Sequence, residues 1–107
     1  LANQYKNAKV DLTDTSDTTL YTCPTAKTAI VKSILVSADT IVAGAITVTI
    51  TDASSNVFSL FSAKAVTANS TLELLTAPLV IEESEILKVQ AAAGNTLHVI
   101  ASLLEVS

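Results

Sequence analysis

The run Ala45-Ile46-Thr47-Val48-Thr49-Ile50-Thr51-Asp52 alternates apolar and hydroxyl side chains with a period of two, and it constrains the fold more than any other feature of the chain. In a strand, successive side chains point to opposite faces, so Ile46, Val48 and Ile50 line one face and Thr47, Thr49 and Thr51 the other. A helix would scatter these residues around its axis. β-branched threonine favours extended backbone without being strongly apolar, so the second face suits water or a neighbouring subunit.

The same pattern recurs along the chain. Residues 5–12 alternate Ala8, Val10 and Leu12 with Lys9 and Asp11; residues 18–23 form a short strand; residues 28–37 are apolar on both faces and read as a central strand. Asp52-Ala53-Ser54-Ser55-Asn56 is a polar hairpin turn, after which residues 57–61 return with Phe58 and Leu60 opposed to Val57, Ser59 and Phe61. Residues 70–75, 85–91 and 96–106 complete about eight strands, the last two joined through Gly94-Asn95. Turns every 8–12 residues or so are the signature of an antiparallel sandwich or barrel. The expectation is an all-β chain folded as a single antiparallel β-sandwich or jelly-roll-like domain over residues 1–107. Helix is poorly supported, with room for single turns at 62–68 and 81–84.

A length of 107 residues fits one domain. Half of the residues are hydrophobic, yet there are two Phe, two Tyr and no Trp, so the core must be built from Val, Ile, Leu and Ala. The net charge is −4 and all six cationic residues are lysines. Nucleic acid is therefore not expected as a partner, because phosphate binding is driven by clustered positive charge and guanine reading by bidentate Arg. Membrane is not expected either, since no apolar run approaches the roughly 20 residues that span a bilayer. The start, Leu1 to Lys6, lacks the apolar stretch of a signal peptide, although a segment removed before Leu1 would leave no trace. Cys23 is the single cysteine, which precludes an intrachain disulfide and reads as a small half-buried side chain at a strand end.

Four groups invite a chemical reading. Asp11, Asp14 and Asp17 recur three apart in a Thr/Ser-rich loop, but the spacing differs from the alternating calcium loop and lacks its glycine, so a solvated turn is expected. Glu82, Glu83 and Glu85 are adjacent at a strand entry, where carboxylates point into water rather than into a cleft. His98 lies on the strand face shared with Thr96, Ile100 and Ser102, with no serine in a nucleophile-elbow motif to serve. Gly44 and Gly94 are the only glycines, too few for a phosphate-cradling loop. No catalytic set, metal site or cofactor site is expected.

Three segments carry a family resemblance: Tyr5-Lys6-Asn7-Ala8, Leu20-Tyr21-Thr22-Cys23-Pro24 and Ile30-Val31-Lys32-Ser33-Ile34-Leu35-Val36. With Pro78-Leu79-Val80-Ile81 and the acidic turn that follows, they resemble a family of small structural proteins of tailed-bacteriophage virions. Members more often carry Gly-Asp where this chain has Ser84-Glu85. The resemblance implies a β-sandwich repeated many times on a virion, as a decoration or cement protein bound to the major capsid protein, or as a neck or tail ring component. A receptor- or carbohydrate-binding module would use the same sandwich. Under this reading residues 1–7 form a flexible arm without regular structure, and Leu1, Ala2, Asn3, Gln4 and Tyr5 are the first candidates for protein contacts.

Overall fold

The structure, a computed structural model, describes residues 3–38, 42–93 and 97–107. Nine strands run through these residues: β1 (Gln4–Leu12), β2 (Thr18–Thr22), β3 (Thr28–Ala38), β4 (Gly44–Thr51), β5 (Val57–Val66), β6 (Ser70–Glu73), β7 (Leu79–Ile81), β8 (Ile86–Ala91) and β9 (Leu97–Val106). They form two antiparallel sheets. One has the order β1-β9-β3-β6, with β7 also on β3; the other runs β2-β8-β4-β5. The expected β-sandwich is the fold. None of the described residues is helical.

Alternation sets which side chains form the core. Ile46, Val48 and Ile50 are buried while the threonines between them are only partly covered. On β9 the inward set is Leu97, Val99, Ala101 and Leu103, facing Leu87 and Val89 of β8 from the opposite sheet. The core is aliphatic, as composition requires.

The apolar character of both faces of β3 has a specific cause. Its buried residues are odd-numbered at Ala29 and Val31 and even-numbered at Ile34, Val36 and Ala38. Strict alternation would expose one of these sets. A β-bulge in the pairing with β9, between Val31 and Ser33, absorbs one residue and returns the second set to the core. The bulge lies where the edge partner of β3 changes from β7 to β6. Glu73 fills that gap: its carboxylate accepts the backbone N–H of Ile34 at 2.8 Å and of Leu75 at 3.2 Å, and the Ser33 hydroxyl.

Several local expectations need correction. Residues 4–7, expected in an arm without regular structure, belong to β1 and pair with residues 102–105 of β9. Leu1 and Ala2 lie outside the described residues, as do Gly94 and Asn95. The segment at 62–66, expected to hold a helical turn, extends β5, because a kink with Ala63 at φ 49° and its N–H donated to Thr47 Oγ1 lets the strand continue. A second irregularity sets Leu60 and Phe61 together against the core, not on opposite faces. Residues 79–81, read only as an apolar segment, form β7.

Residues 82–85 close as a tight turn, with Glu85 N–H donated to Glu82 O at 3.0 Å and Glu82 N–H to Glu85 Oε1 at 2.8 Å. Ser84 has φ 69°, the left-handed conformation that glycine adopts without penalty.

Candidate functional site

β9 ends on an inward-facing acid. Glu105 continues the buried set of Leu97, Val99, Ala101 and Leu103, and it is 1% exposed. An unpaired carboxylate there would be prohibitively costly, so it must be matched by charge and hydrogen bonds. Tyr21, from β2 in the opposite sheet, donates its hydroxyl to Glu105 Oε2 at 2.5 Å. Lys6 Nζ of β1 lies 3.0 Å from Oε1, and Lys27 Nζ, just before β3, lies 3.5 Å from the same oxygen. The carboxylate thus ties β1, β9 and the β2–β3 connection together across the two sheets.

Glu105, Tyr21 and the neighbouring Cys23 are each held in one protonation state. The Tyr21 hydrogen bond holds the Glu105 carboxyl below its ordinary range against the opposing effect of burial, with Lys6 and Lys27 assisting. Burial pushes the Tyr21 phenol well above its usual value, and the Glu105 carboxylate beside it adds to the rise. Cys23 is fully buried, not half-buried, because its thiol turns inward and donates to Lys27 O at 3.3 Å. Burial raises its pKa too. An anion with filled acceptors, a protonated phenol and a protonated thiol supply neither a base nor a nucleophile near neutral pH. The arrangement is a polar pin between sheets.

The residues singled out in the sequence are dispersed. Asp14 accepts the Ser16 N–H at 3.0 Å and the Ser16 hydroxyl at 2.5 Å, a side-chain turn that holds its carboxyl below the ordinary range. Asp17 lies 3.8 Å from Lys88 Nζ, and Asp11 Oδ1 lies 2.5 Å from His98 Nδ1 on the outer face. The three aspartates therefore do not converge. Among the described residues no three His, Cys, Asp or Glu side chains are grouped to hold a metal. Glu82 and Glu85 close their own turn. His98 stands on the outer face with Ile100 and Ser102, as alternation requires.

Glu105, Tyr21, Lys6 and Lys27 were not foreseen as a group. The signal was present, since Glu105 is a charged residue in phase with the inward positions of the closing strand. Two of the resemblance segments also meet here: Lys6 comes from Tyr5-Lys6-Asn7-Ala8, and Tyr21 and Cys23 from Leu20-Tyr21-Thr22-Cys23-Pro24.

Beside this pin one row on the outer face of the β1-β9-β3-β7 sheet is apolar. Register places Tyr5 beside Leu104, Leu104 beside Ile30 and Ile30 beside Val80, a row that crosses four strands on the outer face. Tyr5 is 74% and Val80 53% exposed. Of the sequence-expected contact residues, Tyr5 opens this row, Gln4 pairs with Glu105 and Asn3 is exposed just before β1. Lys32 Nζ stands 5.9 Å from the Tyr5 ring centroid, a cation–π distance. No family model and no curated protein matches this chain.

Proposed function

We propose that this chain is a non-enzymatic structural protein of a tailed-bacteriophage virion, present in many copies, that decorates or cements the capsid by binding the major capsid protein. The observation that carries this reading is the outer row Tyr5, Leu104, Ile30 and Val80, exposed at both ends and half-buried at its centre, which gives a small sandwich an apolar contact surface on a regular sheet. Contiguous exposed apolar surface of this kind favours protein association. The ionisable groups point the same way: Glu105, Tyr21, Cys23, Glu73 and Asp14 are each engaged in holding the fold. The three resemblance segments supply the virion setting.

Quantitative mass spectrometry of purified particles tests the proposal. Hundreds of copies per particle are expected for a capsid protein. A dozen or so would place the chain in a neck or tail ring instead, and absence from the particle would overturn the virion reading.

A further inference from the structure

The outer face of the β1-β9-β3-β6/β7 sheet is self-complementary. Its first row, Tyr5-Leu104-Ile30-Val80, is apolar from edge to edge. A second row, four residues further along β1, runs Lys9-Ile100-Leu35-Glu73: a cation on β1, two exposed aliphatic side chains, and an anion on β6. Between them lie the small polar residues Asn7, Ser102 and Ser33. We infer that this face binds a second copy of the same chain, sheet against sheet, about a two-fold axis parallel to the strands between β9 and β3.

That axis exchanges the two edges of the sheet and keeps each row in place. Tyr5 of one copy then meets Val80 of the other, and Leu104 meets Ile30. In the second row Lys9 meets Glu73, and by symmetry the pair forms twice, while Ile100 and Leu35 stack between them. A two-fold interface must present the same patch from both sides, so this antisymmetric placement of charge favours a second copy over an unrelated partner. Glu73 is anionic at neutral pH: burial opposes this, but the hydrogen bonds from Ser33, Ile34 and Leu75 more than offset it. The accessible surface is 5722 Å², so a standard interface of about 800 Å² per partner would cover roughly a seventh of it, an extent one sheet face can supply. Lys32 is the remaining cation on the face, and it leans over the Tyr5 ring.

The alternative surface for association is the edge of β5. Its pairing with β4 is interrupted twice, which twists the edge away from regular strand addition. The face is the better surface. This inference deepens the multi-copy reading: it assigns the apolar row to contacts between copies, which leaves the major capsid protein to be bound by another surface of the chain, and it rests on that reading for the supply of identical neighbours.

Sedimentation equilibrium of the full chain from about 1 to 500 μM is expected to show a monomer–dimer equilibrium in a range typical of weak standard-size contacts. Leu104→Asp should shift it to monomer at every concentration with an unchanged circular dichroism spectrum. Lys9→Glu should weaken the dimer several-fold. The register is tested by a chain carrying both Tyr5→Cys and Val80→Cys. These positions lie three strand spacings apart in one copy, about 14 Å, whereas positions facing each other across packed sheets lie about 10 Å apart. Both exceed direct disulfide reach, so a bifunctional thiol reagent that spans the facing sheets but not three strands should give a covalent dimer. Cys23 is buried and contributes little background. A chain that stays monomeric without cross-linking, or a dimer indifferent to Leu104→Asp, overturns the inference. Neither result bears on copy number in the particle, which decides the virion reading separately.

Discussion

The two ends of the β1-β9-β3 sheet obey opposite rules. At one end the inward row is Leu12-Leu97 and the outward row Asp11-His98-Ser37: apolar inside, polar outside. At the other end the inward position of β9 is Glu105, and the outward row beside it is Tyr5-Leu104-Ile30-Val80. Leu104 and Glu105 are consecutive, so the pleat itself puts the acid in and the aliphatic side chain out. The first end is explained by the folded chain alone. The second uses a buried ion cluster to hold the sheets together where apolar side chains have been directed to the surface, and that exchange is understandable if the surface is itself to be buried.

The largest expected effect comes from placing the same residue type at both ends. Val99→Glu should destabilise by more than about 4 kcal/mol or prevent folding, because that position is fully buried within the aliphatic core. Glu105→Leu, by contrast, should cost no more than about 1–3 kcal/mol, since the lysines it releases are partly exposed and can turn to water, and the main loss is the acceptor of the Tyr21 hydroxyl. Denaturant titration of both variants measures the difference. Equal losses would mean that the two ends are not distinct.

Removing the donor instead of the acid probes the same hydrogen bond from its other side. Tyr21→Phe leaves Glu105 Oε2 without its phenolic donor, and the expected loss is about 1–3 kcal/mol. Chemical denaturation at pH 7 checks it, and a loss below about 0.5 kcal/mol would show that the lysines alone satisfy the carboxylate.

The pin also predicts the shape of the pH dependence. The folded pKa of Glu105 is depressed, so its stabilisation is complete above the ordinary value of 4.5 and is lost as pH falls through the lower folded value. Glu73 acts in the same direction. Cys23 and Tyr21 have raised folded values, so stability falls as pH rises past their ordinary values of 9.0 and 10.0. Melting temperature should therefore decline on both sides of neutrality. Glu105→Gln should flatten the acid limb while leaving the part due to Glu73; an acid limb unchanged by this substitution would assign the whole effect elsewhere.

Strand identity was legible wherever one face met the core and the other met water, as in β4 and β9. It was least legible where backbone irregularity altered the period. The bulge at Lys32 made β3 look apolar on both faces, and the kink at Ala63 hid the second half of β5 within an alanine-rich stretch. β7 is three residues long, too short to establish a period. The Glu105 pin draws Lys6, Tyr21, Lys27 and Glu105 from four separated segments, and sequence spacing cannot show which of them share a corner of the sandwich. The apolar row had the same difficulty, since Tyr5, Leu104, Ile30 and Val80 become neighbours only through strand register.

The smallest effect is expected at the polar end, where distance alone would suggest a large one. The Asp11–His98 contact, at 2.5 Å, is shorter than either lysine contact to Glu105. Yet Asp11 is 69% and His98 34% exposed, so water already solvates the carboxylate and the pair gains little by forming. Exposed pairs contribute about 0–1 kcal/mol, whereas stranding a buried charge costs several. Asp11→Asn should accordingly lower stability by less than about 1 kcal/mol in a thermal or urea melt. Adding salt should matter little, because the interaction lost is small to begin with. A loss as large as that of Tyr21→Phe would mean that burial does not set the difference between the two ends, and the comparison would fail at its physical root.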